Sequence, residues 1–472
     1  MEKCIFALLK TLEKCILNML YRKIINKIEN YFKSKSNKML IVDGARQVGK
    51  SFIIRHVGEK MFPNYIEVNM EKDRQKDRLF ANAKTVEDFY MVLSMIAGDK
   101  MGQRDDTLVF IDEIQAYDHL LTMVKFLMED GRFTYIASGS QLGVALKATQ
   151  SIPIGSLEIE HLYPLDFEEF LIANNVGTLA INSMRESFKE LKPLPEAVHN
   201  KVMNLFRTYL LIGGMPAAVN VYLAEHNIVS VRKVQKDIHA LYGRDTAKYE
   251  SSSNKKLNIQ RIYDMIPSNL ENKKKRVVAK NIEGKNGKRM NNYTEEFEYL
   301  IAAGIALEVQ AISQPTFPLV QNAGKNLLKL YMNDVGIFTG IIYRNNIKPI
   351  TDDVCSVNLG SVYETVVAQE LCAHGFNLCY YDNKKNGEVD YIIDDVDNLS
   401  TTPLEVKSGK DYTVHSALNH FVNVKDYNIR TAFVLCNNRE ISTNTHGITY
   451  IPIYYIMFFE PGENASAEYI EV

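Results

Sequence analysis

The sequence predicts an α/β protein of several domains, and three observations lead to that prediction. At 472 residues the chain has room for about two to four domains, and 46% hydrophobic residues are ample for packed cores. Between about residues 20 and 165, apolar strand-like runs alternate with helical segments, which is typical of a parallel sheet covered on both faces. After about residue 350, strand and helix patterns alternate again in a second unit.

The N-terminal segment, residues 1–37, is predicted to be helical. Its apolar opening, MEKCIFALLKTLEKCILNML, is interrupted by Lys10, Glu13 and Lys14. These charges argue against a membrane span, and the segment lacks the small-residue site at which a leader peptide is cleaved. An amphipathic helix is the plainer interpretation, and translation from Met19 is an alternative to translation from Met1.

The stretch GARQVGKS has the spacing G-x-x-x-x-G-K-S between a strand-like run, KMLIVD, and a helix-like run, KSFIIRHVGEKM. Glycines allow several backbone amides to face one anion, and the helix N-terminus adds positive potential there. The lysine can reach terminal phosphates and the serine hydroxyl can ligate Mg²⁺. A chance glycine turn is the alternative, which the flanking elements disfavour. The pattern predicts binding of a nucleoside triphosphate by Gly44, Ala45, Arg46, Gln47, Val48, Gly49, Lys50, Ser51 and Phe52.

A second run, TLVFIDEIQ, supplies the acidic residues that such a loop needs for hydrolysis. Asp112 and Glu113 follow a buried strand that would end beside the loop. Asp112 suits the Mg²⁺ site together with Ser51, by holding waters of the metal, and Glu113 suits the general base that activates the attacking water. A solvated loop or a helix cap is the alternative for an isolated Asp-Glu pair. Lys50 and Glu113 are therefore predicted to be catalytic.

A third strand, FTYIASGSQ, ends in two serines around a glycine. A hydroxyl there, for which Ser138 is the candidate, could contact the γ-phosphate or the attacking water. Serine and glycine are also common in turns at strand ends, so this alternative stays open.

The middle of the chain is predicted as a helical, lid-like region, 166–250, and a winged-helix-like domain, 251–345. The lid begins after an ATPase core at 38–165. Within the winged-helix region, positive charge clusters in a basic segment, 273–289, with a single glutamate. Such an edge could bind DNA phosphates, and a solvated loop is an equally good interpretation. The basic side chains are Lys273, Lys274, Lys275, Arg276, Lys280, Lys285, Lys288 and Arg289.

The C-terminal region, 346–472, holds a second constellation of charged residues. Asp390 lies in the strand-like run GEVDYIID, and Glu405 and Lys407 lie two apart in TPLEVKSG, so they share a face. Glu364, on the preceding helix, can lean over the same position. Three carboxylates with a lysine predict a second Mg²⁺ or Mn²⁺ site, with Asp390 and Glu405 as ligands and Glu364 and Lys407 as catalytic residues. A solvent-facing Glu-x-Lys pair is the alternative.

These motifs together resemble a group of prokaryotic AAA-type ATPases with a conserved C-terminal domain of unknown function, and that domain looks like the PD-(D/E)xK nuclease fold. GARQVGKS matches the Walker A motif of this group, LVFIDEIQ its Walker B motif and ASGSQ its sensor strand. The segments YPLDFEEFL, GGMPAAV, YETVVAQEL, GEVDYII and LEVKSG match further signatures. The resemblance covers about residues 38–438 and implies that the nucleotide is ATP or ADP. It also implies a P-loop NTPase sheet domain followed by a restriction-endonuclease-like α/β domain.

Two departures from the group bear on hydrolysis. Ser156 stands where relatives often have an arginine, so Arg244 becomes a weak candidate for that role, and Asp43 is an acidic neighbour of the phosphate loop. Relatives often assemble so that one subunit's arginine serves its neighbour, and the resemblance therefore allows oligomerisation.

Three functions remain open at the level of sequence. The first is an ATPase that remodels or cleaves DNA. The second is an ATP-dependent switch whose nuclease-like domain does not cut. The third is a protein-directed remodeller or defence sensor. Six cysteines without a C-x-x-C pair give no sign of a disulfide framework, which fits a cytoplasmic location.

Overall fold

The computed structural model describes residues 19–140, 142–144, 154–245, 253–272, 275–284, 289–351, 358–383, 385 and 387–462. The apolar opening of the predicted N-terminal helix lies almost entirely outside these residues, and so do four lysines of the basic segment, Lys273, Lys274, Lys285 and Lys288. Within the described ranges, no helix is long and apolar enough to cross a membrane. The cysteines that the structure describes are free thiols: Cys372, Cys379 and Cys436.

A five-stranded parallel sheet forms the first part of the fold. Its strands are β1 (Met39–Asp43), β2 (Asn64–Asn69), β3 (Thr107–Asp112), β4 (Thr134–Gly139) and β5 (Leu157–His161). They lie in the order β2-β3-β4-β1-β5, and every neighbouring pair is parallel. All residues of β1 and β3 are buried, as expected for central strands of a sheet with two covered faces. The α/β prediction is confirmed here.

Helices cover both faces of this sheet because alternate strand residues point to opposite sides. Leu40 and Val42 of β1 join one hydrophobic core, whereas Ile41 between them joins a second core. The helices of this part are α1 (Ile24–Ser34), α2 (Lys50–Met61), α3 (Met70–Gln75), α4 (Val86–Ala97) and α5 (Asp118–Asp130).

A helical region follows the sheet. Its helices are α6 (Phe167–Ala173), α7 (Thr178–Lys189), α8 (Glu196–Ile212), α9 (Pro216–Glu225), α10 (Ile228–Asp245), α11 (Ser253–Glu271), α12 (Ala279–Glu283) and α13 (Thr294–Ala302). Gly213 and Gly214 separate α8 from α9. A Cβ added at Gly214 would lie 2.0 Å from the carbonyl oxygen of Leu165, so only glycine fits this turn.

The second sheet is mixed and has eight strands. They are β6 (Ala306–Ile312), β7 (Ala323–Met332), β8 (Cys379–Asn383), β9 (Gly387–Asp395), β10 (Ser400–Val406), β11 (Ala432–Cys436), β12 (Ser442–Thr443) and β13 (Ile448–Pro452). Their order is β12-β13-β11-β10-β9-β8-β6-β7. The remaining helices are α14 (Val335–Tyr343), α15 (Lys348–Thr351), α16 (Gly360–Ala373) and α17 (Ser416–Val422).

The hairpin of β6 and β7 links the middle region to the C-terminal sheet. Three helices, α11 to α13, precede this antiparallel hairpin in the order of a winged helix. However, β6 also pairs in parallel with β8, so the hairpin belongs to the eight-stranded sheet. The sheet therefore spans the predicted boundary at residue 345, and the winged-helix assignment stays a prediction.

Candidate functional site

The loop between β1 and α2 requires glycine at two positions for different reasons. Gly44 has φ 140°, and a Cβ there would lie 2.3 Å from the carbonyl oxygen of Leu162. Gly49 has φ 102°, but the nearest atoms to an added Cβ are 3.8 Å away. At Gly44 both the left-handed backbone and the close approach exclude a side chain, whereas at Gly49 only the backbone does. The loop at the N-terminus of α2 therefore has no side chain at either position.

Lys50 and Ser51 begin α2 and face the loop. The Lys50 ammonium donates to the carbonyl oxygens of Gly44 and Ala45, each at 2.8 Å. Burial lowers the pKa of Lys50, against the opposing pull of Glu113, Asp43 and Asp112. A lysine with so costly a buried charge gains most from an anionic partner such as a phosphate.

Asp112 lies at the carboxyl end of β3 and collects three donors. Its Oδ1 accepts from the Ser51 hydroxyl at 2.8 Å and from the Ser138 hydroxyl, and its Oδ2 accepts from Asn69 Nδ2 at 2.6 Å. The hydroxyl of Ser51 and this carboxylate are adjacent oxygen donors beside the loop, which fits Mg²⁺. Ser138, predicted to face the γ-phosphate or the attacking water, is fully buried and bonded to Asp112.

Glu113 directly follows β3 with a left-handed backbone, φ 54°, which is uncommon for glutamate. Its Oε2 accepts from Gln115 Nε2 at 2.5 Å and from the Ser140 hydroxyl at 2.7 Å. The carboxylate is therefore held in place by two neutral donors next to Asp112. The sequence pointed to the two serines at the end of β4, but Ser138 was selected instead of Ser140. Asn69 was missed, although it also sits at a strand end, where a polar residue is a usable signal.

The remaining loop residues have partners outside the loop mouth. Arg46 forms an ion pair with Asp245 at 2.9 Å, and its carbonyl oxygen accepts from the Tyr242 hydroxyl at 2.8 Å. Asp43, the unexpected acidic neighbour, lies 3.4 Å from His161 Nδ1. Arg244, the weak arginine candidate, is exposed and donates to the carbonyl oxygen of its own helix residue Ala240.

A cavity of about 210 Å³ adjoins the phosphate loop. It has the place and the mainly apolar walls that an adenine base would need. Sequence reasoning placed only the loop part of this lining, because the segment before α1 and the start of α9 reach it through tertiary packing. The walls are Leu20, Arg22, Gln47, Val48, Gly49, Phe52, Ile53, Pro216, Ala217 and Asn220.

Arg22 fixes one wall of this cavity to the loop. Its guanidinium donates to the carbonyl oxygens of Val48 at 3.0 Å and Tyr163 at 2.6 Å, and to Glu169 Oε2 at 2.9 Å. With 3% of its surface exposed, Arg22 is a buried arginine with three acceptors. The segment before α1 is therefore part of the nucleotide site's framework.

The predicted C-terminal residues are brought into one buried cluster. Glu364 lies on α16, Asp390 on β9 and Glu405 on β10. Glu364 and Glu405 are buried, and Asp390 is half-buried. Lys407 directly follows β10, and its Nζ lies 2.8 Å from Glu405 Oε1. Its backbone N–H donates to the carbonyl oxygen of Leu435, which continues the pairing of β10 with β11.

Each carboxylate of this cluster has a different environment. Burial, then Glu405 and Glu364, raise the pKa of Asp390, whose Oδ2 accepts from the Val406 backbone N–H at 2.9 Å. Burial also raises the pKa of Glu405, against the opposing pull of Lys407. Burial opposes ionisation of Glu364 too, but Lys275 and Lys329 outweigh it and lower its pKa.

The fit of a second cation to this cluster is partial. Glu405 Oε2 is buried without a hydrogen-bond partner, and the negative charge of Glu405 raises the pKa of Asp390. These two carboxylates would therefore gain from one shared divalent cation. Yet in the described part of the chain, no group of three Asp, Glu, His or Cys side chains is arranged to hold a metal ion. The three predicted carboxylates share this cluster, but both Glu364 oxygens are engaged, one by Lys275 and one by Tyr331.

The sequence did not indicate that two further lysines, Lys275 and Lys329, belong to this cluster. Lys275 belongs to the basic segment and reaches Glu364 across 89 positions of chain. Lys329 on β7 is fully buried and pairs with Glu388 at 2.5 Å. The neighbouring Arg276 pairs with Asp382 at 2.6 Å. Of the basic segment, therefore, Lys275 and Arg276 are engaged within the protein, whereas the described side chains of Lys280 and Arg289 are exposed.

Comparison with protein families agrees with the first half of this description. Residues 36–171 match the family model of the AAA domain. Residues 203–347 and 359–456 match two domains of unknown function, DUF8612 and DUF4143. No curated protein matches the chain. The first part of the chain is thus similar to an AAA domain, which supports the predicted P-loop ATPase core, and the nuclease-like character of the last part stays a prediction.

Several solved structures are similar to this chain at low sequence identity. A Walker-type ATPase of Pyrococcus abyssi has 15% identity and a TM-score of 0.41, covering 68% of this chain and 95% of that one. The ORC1 protein of Aeropyrum pernix, solved in complex with DNA, has 12% identity and a TM-score of 0.30, with 71% and 94% covered. The RuvB Holliday junction branch migration motor of Thermotoga maritima has 13% identity and a TM-score of 0.27, covering 61% of this chain and 89% of that one.

Proposed function

We propose that this protein hydrolyses ATP with Mg²⁺ and couples that reaction to DNA binding or processing through its C-terminal domain. One observation carries the ATPase part: the Ser51 hydroxyl lies 2.8 Å from Asp112 Oδ1, beside Lys50 and next to Glu113. Together these side chains supply the donors and acceptors that a nucleoside triphosphate with its metal requires.

Each residue of the nucleotide site has a distinct role in this proposal. The backbone amides of the loop and the Lys50 ammonium bind the phosphates, and Ser51 and Asp112 would hold Mg²⁺, which neutralises charge on the transferred phosphoryl group. Glu113 orients and deprotonates the attacking water, while Ser140 and Gln115 fix its carboxylate. The cavity lined by Leu20 and Pro216 receives the base.

The DNA part of the proposal rests on the position of the basic segment. Lys275 and Arg276 tie this segment to the carboxylate cluster, and Lys280 and Arg289 nearby along the chain are exposed. Exposed cations in a segment that is tied to this cluster suit a phosphate backbone. In this proposal, DNA bound by the segment reaches the C-terminal cluster.

A salt titration of DNA binding tests this part. Lys280→Ala with Arg289→Ala should weaken binding to any sequence and reduce the slope of log K against log salt by about 1.8, if both side chains contact phosphates of duplex DNA. The matched control is Lys76→Ala with Lys125→Ala, which removes two exposed charges from the ATPase domain. If the unaltered protein and both variants had equal affinity at low salt and equal slopes across the titration, DNA contact through this segment would be excluded.

For the C-terminal domain we propose a nuclease-like role. Asp390 and Glu405 would hold a divalent cation, which activates a water on phosphodiester bonds when bound. Glu364 would shape the site from α16, and Lys407 would orient the water. Nicking of plasmid DNA that is lost in Lys407→Ala, with Mn²⁺ binding retained, is the expected result.

The second candidate is an ATP-dependent switch whose nuclease-like domain does not cut. The lysine pairs favour it, since Lys275 and Lys407 neutralise carboxylates that a cutting site would give to metal. Absence of nicking on plasmid and single-stranded DNA, together with nucleotide-dependent DNA affinity, would select this candidate over the first.

A further inference from the structure

Lys275 reaches the C-terminal cluster from a segment that joins two other helices. It follows α11, its backbone N–H donates to the carbonyl oxygen of Asn272, and its φ is 48°. Its side chain is 20% exposed, whereas Glu364, its partner, is 4% exposed. Lys275, which lies outside the predicted C-terminal domain, therefore places its positive charge on the Glu364 carboxylate inside that domain.

Both oxygens of Glu364 are engaged in this arrangement. Oε1 is bonded to the Lys275 ammonium, and Oε2 accepts from the Tyr331 hydroxyl at 2.8 Å. Asp390, in the same cluster, is influenced by the positive charges of Lys275 and Lys329. A buried carboxylate with both oxygens bonded has little to offer to another cation.

A lysine ammonium and a divalent cation would compete for the same carboxylates. Glu405 and Glu364 both oppose ionisation of Asp390, and Glu405 Oε2 is buried without a hydrogen-bond partner, so this cluster favours an additional positive charge. We infer that Lys275 supplies this charge in place of the metal, so that the C-terminal site takes a hard divalent cation only when Lys275 leaves Glu364. This inference rests on the metal site of the proposed function.

The same segment is connected with the nucleotide site. Tyr263 on α11 packs edge-on to Tyr242, with ring centroids 6.5 Å apart, and the Tyr242 hydroxyl donates to Arg46 of the phosphate loop. At the other end of α11, Glu271 accepts from the Ser361 hydroxyl at the start of α16. α11 therefore contacts a residue that reaches the phosphate loop and, near its C-terminal end, the helix that carries Glu364.

Mn²⁺ binding to the full chain without nucleotide tests the inference, followed by electron paramagnetic resonance. An Asp112→Asn background removes the metal ligand of the nucleotide site. In this background Lys275→Ala should bind one Mn²⁺ at least about tenfold more tightly, which corresponds to about 1.4 kcal/mol. Arg276→Ala is the matched control, because Arg276 pairs with Asp382 and Glu388 and not with Glu364.

A double variant shows whether the gained binding uses the freed carboxylate. Lys275→Ala with Glu364→Gln should bind Mn²⁺ no better than the background. If the single variant does not fold, Lys275→Gln replaces it, because glutamine fills much of the same space and can donate to Glu364.

Two results would overturn the inference, and they are distinguishable. Equal Mn²⁺ affinity with and without Lys275, abolished by Asp390→Asn, would leave the metal site in place but remove Lys275 as its competitor. No saturable binding in any variant would remove the metal site of the proposed function as well.

Discussion

Ser140 and Glu113 are joined by a hydrogen bond of 2.7 Å from the serine hydroxyl to glutamate Oε2. The two residues come from different strands, one after β4 and one after β3. The carboxylate that is proposed to activate water is thus restrained by a neighbouring strand end. Because a general base must be held at hydrogen-bond distance from its water, this restraint is part of the catalytic geometry.

Glu113→Gln should retain ATP binding and lower the rate of hydrolysis by about 10²–10⁴-fold, because only the base is removed. Ser140→Ala should lower kcat by about fivefold with unchanged nucleotide affinity, since one hydrogen bond worth about 1 kcal/mol is lost. Steady-state ATPase assays and binding of a fluorescent nucleotide measure both effects. Ser183→Ala, on exposed α7, is the control. Undiminished hydrolysis by Glu113→Gln would refute its role.

Lys50→Ala should abolish hydrolysis and strongly weaken ATP binding. The loop loses the charge that meets the phosphates, and the carbonyl oxygens of Gly44 and Ala45 lose their donor. Isothermal titration with ATP and Mg²⁺ measures the affinity. Lys60→Ala, on the same helix but exposed, should bind as the unaltered protein does. Similar affinities in the two variants would contradict the assignment.

The nucleotide loop could be predicted from sequence because its chemistry is local. Gly44, Lys50 and Ser51 are contiguous, and Asp112 and Glu113 need only a parallel neighbour strand to reach them. Ser138 was selected over Ser140, and Asn69 was missed, because a serine or asparagine at a strand end is common. Only the strand order β2-β3-β4 brings these residues to the acidic pair.

The C-terminal cluster was only half predictable for a different reason. Glu405 and Lys407 are two positions apart, so their shared face follows from strand geometry. Lys275 comes from the segment between α11 and α12, and Lys329 comes from β7. Strand β6 pairs with β7 on one side and with β8, which begins at Cys379, on the other. Apolar patterns indicate that a strand forms but not which distant strand it pairs with, so the neutralising lysines could not be foreseen.

Gly44→Ala should destabilise the protein by at least about 2 kcal/mol, because a Cβ meets the Leu162 carbonyl oxygen and the backbone conformation is unfavourable for alanine. Gly284→Ala is the matched control: its φ is 69°, but nothing lies within 4 Å of an added Cβ. It should show the backbone penalty alone, about 1 kcal/mol. Urea unfolding measures both. Equal losses would mean that the loop moves away from Leu162 at little cost.

Asp334 should make stability depend on pH. It is fully buried before α14, accepts from the backbone N–H groups of Gly214 at 2.7 Å and Ile337 at 2.8 Å, and holds the turn between α8 and α9. Burial raises the pKa of Asp334 from its usual 3.8 to about 6, although these N–H groups oppose the rise. The folded state therefore binds this proton more tightly than the unfolded state does.

The sign follows from that difference. The contribution of Asp334 is fully present below about pH 3.8 and is lost as pH rises through about 6, a change of about 3 kcal/mol in the free energy of unfolding. Asp334→Asn cannot titrate, so the difference in stability between the two proteins should shift by about this amount, in favour of the variant, from pH 4 to pH 7. Urea unfolding at several pH values measures it, and other titrating groups cancel because both proteins share them. A constant difference across this range would show that the buried carboxylate stays ionised, with its backbone donors outweighing burial.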